Sequence, residues 1–239
     1  MALNNTLGNK KPMTDKIVEY KCGDEIVKLS PSIIKTYLVN GNGSVTDQEV
    51  AMFLNLCRFQ HLNPFLREAY LIKFGNQPAT IVTGKDAITK RAMRNPKFAG
   101  QQAGVVIFHE ETGDLEYRNG SLQIEGEKLV GGWAKVYVKG YEVPIEAVVS
   151  YQEYVGTNKQ GEVNSQWSKK PATMIRKVAL VQALREAFPE DLGGMYASEE
   201  MNIDFDETTM AAPMETPVVM DAQQEAESQI YPDEERLDF

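Results

Sequence analysis

The spacing of apolar residues changes from stretch to stretch, and the changes divide the chain into elements. Residues 1–30 are polar and mixed, and they read as an arm with some extended structure near Ile17 and Val18. Ser30 and Pro31 open a short helix reaching Val39, because proline suits a first helical turn. Gly41-Asn42-Gly43 ends it. Thr46 and Glu49 form a capping box, and Val50, Phe53, Leu54 and Cys57 follow at helical spacing, so a second helix should run from there towards His61. Tyr70, Ile72 and Phe74 alternate on one side of a strand, residues 75–78 turn the chain, and residues 79–83 bring it back as a hairpin. Residues 85–94 predict a short helix stopped by Asn95-Pro96. Residues 102–149 predict a three- or four-stranded antiparallel meander with turns at 111–114, around Gly126 and at Lys139-Gly140. A polar loop over 156–166 precedes the strongest helix, 168–188, with Pro171 near its start. From residue 202 no period is sustained, which predicts a disordered or tethered acidic tail.

These elements define an α+β fold: an antiparallel β-hairpin and β-meander packed with helices, followed by the tail. The expected divisions are an N-terminal arm over 1–30, a main domain over 31–200, and the tail over 201–239. With 239 residues and 42% apolar content, the chain can bury one sizeable core. No apolar run reaches the length of a membrane span, and the first residues lack a basic region followed by an apolar one, so no signal peptide is expected. Cys22 and Cys57 match no metal-ligand spacing and suit a reducing compartment, so a cytoplasmic protein is expected.

The formal net charge of −9 is unevenly placed. Residues 199–239 hold 13 of the 34 acidic residues and one basic residue, Arg236, of the 25. The remaining 24 basic and 21 acidic residues leave 1–198 at +3. A mildly basic body therefore carries a strongly acidic tail.

Several chemistries are missing. Gly84-Lys85 is followed by Asp86, and no glycine sits at the spacing of a phosphate-cradling loop, which argues against an ATP-driven recombinase. Asp15, Glu19 and Lys21 resemble a nuclease set only in spacing and read as solvated charge in the arm. His61 and His109 are isolated and read as structural or surface histidines. No catalytic centre is apparent, so the chain is not expected to be an enzyme and no metal site is expected.

Three basic clusters remain. Lys85, Lys90, Arg91, Arg94 and Lys97 include a helical stripe, Lys90, Arg94 and Lys97, able to track phosphates or simply to be solvated. On the strand 132–139, Trp133, Lys135, Tyr137 and Lys139 share one face and Ala134, Val136 and Val138 the core face; the first set suits base stacking or a half-exposed strand. The third cluster runs from Trp167 through Lys169, Lys170, Arg176 and Lys177 to Arg185. Pro171 starts a helix whose free amides favour an anion, and lysines there oppose the helix dipole unless an anion is bound. Along that helix Met174, Val181, Leu184 and Phe188 trace an apolar direction, and Ile175, Val178, Gln182 and Arg185 another.

Residues 167–188 followed by Gly194-Met195-Tyr196 resemble the hallmark of the RecT/Bet family of phage single-strand annealing proteins. So do Cys57-Arg58, 62–65 and Glu68-Ala69-Tyr70, and so do 82–87 followed by Phe98-Ala99-Gly100. The ordered set covers roughly 46–200. The resemblance implies binding of single-stranded DNA, annealing without a nucleotide or other required cofactor, and assembly into rings or helical filaments. It implies as partners a phage exonuclease of the RecE or λ type and the host single-strand-binding protein. Mg2+ is a candidate modulator of the DNA complex. By position, Arg176 and Arg185 match helix residues that face DNA in relatives, Trp167 matches the aromatic before that helix, and the loop with Lys159 fills the place of a DNA-side loop. Ala172 and Val178 stand where the λ-type member has lysines, so Lys169, Lys170 or Lys177 would replace those contacts. The full set of expected DNA-binding residues is Lys85, Lys90, Arg94, Lys135, Lys159, Trp167, Lys169, Lys170, Arg176, Lys177 and Arg185. The alternatives are a protein that coats single strands without annealing them, a phage assembly protein and a nuclease.

Overall fold

The computed structural model describes residues 14–201 except Lys159. The predicted arm contributes more than expected. Strands β1 (Val18–Cys22) and β2 (Glu25–Leu29) form an antiparallel hairpin. Its Tyr20, Val27 and Leu29 join the main core. Alternation of polar with apolar positions in this stretch is short, and the hairpin becomes stable only by lending its apolar face to the body.

Helix α1 (Pro31–Ile33) is capped by Ser30, whose Oγ accepts from the Ile33 amide at 3.3 Å, and it continues as a π-helical turn, Ile34–Leu38. Helix α2 (Asp47–Phe59) starts with the expected capping box: Glu49 N–H donates to Thr46 Oγ1 at 3.3 Å and Thr46 N–H to Glu49 Oε2 at 2.8 Å. Its Val50, Phe53, Leu54 and Cys57 are buried, as their spacing predicts. Burying a side chain such as Phe53 stabilises the fold by about 1.5–3 kcal/mol.

Strand β3 (Val39–Asn40) pairs parallel with β4 (Ala69–Ile72), which pairs antiparallel with β5 (Thr80–Thr83). The hairpin stands where expected, but β4 is buried on both faces. Ala69 and Leu71 enter the main core, while Tyr70, Ile72 and Val82 form a second, small cluster. Phe74 lies past the strand end and is exposed. Helix α3 (Lys85–Arg94) has the predicted limits.

Strands β6 (Phe98–His109), β7 (Asp114–Asn119), β8 (Lys128–Val138) and β9 (Ile145–Ser150) form an antiparallel sheet in the order β7-β6-β8-β9. The order differs from a simple meander, because β8 pairs with β6 rather than with β7. Val105, Val106 and Ile107 are buried consecutively, hence on both faces. A strand covered on both faces gains most from neighbours along both edges, where its backbone groups are paired.

Helices α4 (Tyr151–Tyr154), α5 (Ser165–Lys169), α6 (Pro171–Ala187) and α7 (Pro189–Leu192) follow. The single helix predicted over 168–188 is interrupted at Lys170, at φ −138° and ψ 50°. A residue before proline is pushed out of the helical region, so the break sits where Pro171 puts it. Helix α6 is buried nearly all round, which marks a central helix rather than a surface one. Ile175 and Val178, which trace one direction with Gln182 and Arg185, are fully buried. A Cβ on Gly132 would stand 2.5 Å from the Ile175 carbonyl oxygen, so the α6 backbone rests directly on β8. After α7 the chain returns across the body: Met195, Ala197 and Ser198 are buried, and the Thr83 amide donates to the Tyr196 carbonyl at 2.8 Å. No described helix is long and apolar enough to cross a membrane.

Candidate nucleic-acid interface

The junction of α5 and α6 carries two adjacent lysines. The side chain of Asn164 accepts from the Trp167 amide at 3.1 Å and starts α5, and Lys170 stands between the two helices. Lys169 and Lys170 are exposed and make no ion pair among the described residues. Pro171 has no amide hydrogen, and the Ala172 and Thr173 amides lack partners inside the helix because no preceding turn exists. Two ammonium groups and a helix start therefore offer donors to an anion.

The rest of this cluster is held by the protein. Trp167 is 2% exposed and packs edge-to-face on Tyr151 at 5.7 Å, so its ring serves the core. Arg176 is half-buried and donates from Nε to the Ala103 carbonyl at 3.2 Å, fastening α6 to β6. Lys177 pairs with buried Glu199 at 2.7 Å. Arg185 donates to Glu200 through both terminal nitrogens, Nη1 to Oε2 at 3.0 Å. It also donates to the Met195 carbonyl and lies 4.4 Å from the Tyr196 ring centre. Burial works against the charge of Arg185, but the Glu200 carboxylate outweighs it and holds the proton more firmly than usual. Ala172 and Val178 are buried, which explains why small or apolar residues stand where the λ-type resemblance implies lysine.

On α3, Lys85 pairs with Asp86 beside it. Lys90 pairs with Glu68 at 2.7 Å. Burial raises the Glu68 carboxyl, but the Asn63 amide and Lys90 overcome this and bring it below its ordinary value. Arg94 is exposed and makes no ion pair among the described residues. It faces a cavity together with Arg91 of the same helix and with Lys21 and His61, which come from two other places in the chain and which the linear sequence had not brought to it. The sequence signal of Lys21 was its charge alone.

The expected face of β8 is formed, with Ala134, Val136 and Val138 in the core. On the other face Lys135 stands 5.9 Å from the Trp133 ring centre and 3.5 Å from Glu146. Trp133 is 6% exposed, donates to the Arg118 carbonyl at 3.2 Å and meets Tyr117 edge-on, leaving Tyr137 as the exposed aromatic of this strand. Lys159 lies outside the described residues. Asp15 accepts from Ser32 at 2.9 and 2.8 Å, and Glu19 pairs with Lys28, so both acids have structural partners. Among the described residues no group of three or more His, Cys, Asp or Glu is placed to hold a metal ion.

The structure thus brings Lys169 and Lys170 together and leaves Arg94 open. Lys85, Lys90, Lys177 and Arg185 are placed in ion pairs, and Trp167 in the core. The sequence pattern of the RecT family matches residues 24–213. An uncharacterized protein of Ureaplasma parvum serovar 3 is 31% identical over 137 residues, which is 57% of this chain and 52% of that protein. The chain spans about half the length of this curated relative in the match.

Proposed function

The chain belongs to the RecT family, and from that premise we propose that it binds single-stranded DNA and anneals complementary strands in recombination. The observation that carries this reading is the extent of the match: residues 24–213 take in every described element from β2 to the chain's return after α7. The site geometry supports it through Lys169 and Lys170, exposed at the start of α6 with amides free to meet phosphate oxygens.

On this reading the lysines, with Arg94 and Lys135, hold the sugar-phosphate backbone and leave base edges free. Successive subunits in a ring or helical filament lay the strand out. A second strand samples registers until pairing and stacking stabilise the joint; no nucleotide is hydrolysed and no covalent bond changes. The protein lowers the repulsion between two polyanions. A phage exonuclease supplies the strand, the host single-strand-binding protein hands it over, Mg2+ modulates the complex, and the setting is the bacterial cytoplasm.

The test is native-gel annealing of two complementary oligonucleotides without any nucleotide. The chain should speed annealing, and Lys169→Glu with Lys170→Glu should weaken oligonucleotide binding and lower the salt slope by roughly 1.4, about 0.7 per lost phosphate contact on a single strand. Slower annealing with tight binding would instead indicate a strand-coating protein, and magnesium-dependent degradation a nuclease.

A further inference from the structure

The cavity beside the last turn of α3 has a volume of about 470 Å³, and Lys21, Gly23, His61, Arg91, Arg94 and Asp191 are among its lining residues. Lys21 comes from β1, Gly23 from the hairpin turn, His61 from the turn after α2, the two arginines from α3 and Asp191 from α7. Three permanent cations thus face one carboxylate, and that carboxylate accepts from Asn95 Nδ2 at 2.6 Å. Lys21 and Arg94 make no ion pair among the described residues. Arg91 Nη1 donates to the Gln60 carbonyl, but Arg91 Nε is buried with no hydrogen-bond partner. Gly23, at φ 63°, lays the hairpin turn against the Arg94 guanidinium; a Cβ there would stand 3.4 Å from Nη2. His61, also left-handed at φ 49°, is tied through Nδ1 to the Lys21 carbonyl at 2.8 Å.

Arginines in the last turn of a helix complement its dipole. That accounts for Arg91 and Arg94. It does not account for Lys21 arriving from another element, or for an Arg91 Nε without a protein partner. Gathered like charges repel, and a buried donor without an acceptor is destabilising. An anion in the cavity removes the repulsion. We propose that this cleft binds phosphate groups of a DNA single strand, so that the N-terminal hairpin takes part in the nucleic-acid interface. The proposal rests on the strand-binding reading above. A polyanion fits better than a lone phosphate because exposed Lys97 adjoins Pro96, a lining residue, and adds a cation next to the cleft in the chain.

The experiment is filter binding of a radiolabelled oligothymidylate by the full chain across a series of KCl concentrations. The variants are Lys21→Glu and Arg94→Glu, with Lys128→Glu, a cation paired with Glu110 on β8, as control. Melting temperatures establish that each is folded. Arg94→Glu should lose roughly tenfold in affinity at low salt, and each cleft variant should show a salt slope shallower by about 0.7–1. The control should match the unaltered chain. Cleft variants that are folded and bind with unaltered affinity and slope overturn the proposal; if Lys169→Glu with Lys170→Glu still weakens binding, the strand-binding reading survives. An unaltered chain with no salt-sensitive affinity ends both. Stabilisation by inorganic phosphate that Arg94→Glu abolishes, without any change in oligothymidylate binding, makes this a free-phosphate site and overturns the proposal. So does a cleft variant that binds DNA normally but no longer responds to removal of residues 202–239, since the cleft would then serve the chain's own carboxylates.

Discussion

Replacing Trp167 by alanine removes a side chain with almost no solvent contact, and the expected loss is about 3–5 kcal/mol of stability. Urea unfolding followed by circular dichroism reads that loss, while oligonucleotide affinity per folded molecule should stay unchanged. Arg185 belongs to the same kind of residue. Breaking a buried ion pair from one side typically costs 3–5 kcal/mol, so Arg185→Met should lower the melting temperature, and a double-mutant cycle with Glu200→Gln should show strong coupling. Glu49 makes the pH prediction. Lys73, lodged beside it at 2.7 Å, and the amides of Thr46 and Ala79 hold its carboxyl down to about 2 from an ordinary 4.5. An acid whose pKa falls on folding contributes stability that is complete above the unfolded value and lost as pH drops towards the folded one. Stability should therefore decline between about pH 4.5 and 2, and Glu49→Gln should flatten that part of the profile. Equal acid slopes in the two chains would refute this.

At the level of elements, the most exacting contact is between β8 and α6. Gly132→Val would drive a side chain into the Ile175 carbonyl and push the helix off the sheet, at a cost of about 1–3 kcal/mol; a chemical-denaturation midpoint equal to that of the unaltered protein would contradict it. The capping box of α2, both ends of α3 and the core face of β8 were legible in the sequence, because each is written in residues a few positions apart. The order β7-β6-β8-β9 was not, because periodicity says which way a side chain points but not which strand lies alongside. The same limit hid much of the candidate site. Lys177 and Arg185 had the chemistry of phosphate ligands, but their partners Glu199 and Glu200 reach them only because the chain turns back after α7. The lysines flanking the Pro171 break were legible, since that signal is local.

Over the whole molecule the charge falls into a body and a tail, and the returning segment sets where one can be cut from the other. Met195, Ala197, Ser198 and Glu199 are buried, and a truncation after Tyr196 would remove the partners of Lys177 and Arg185. Removal of residues 202–239 takes away 11 acidic residues and one basic residue, changing the net charge from −9 to +1. That shorter chain should keep its melting temperature and bind single strands more tightly at low salt, with the difference fading as salt screens it. Both tryptophans, Trp133 and Trp167, are buried in the fold. Their fluorescence consequently monitors the interior: oligonucleotide should leave the emission maximum in place, and urea should shift it to the red. The protein thus holds two internal lamps that go on reporting the state of the fold while its surface is occupied.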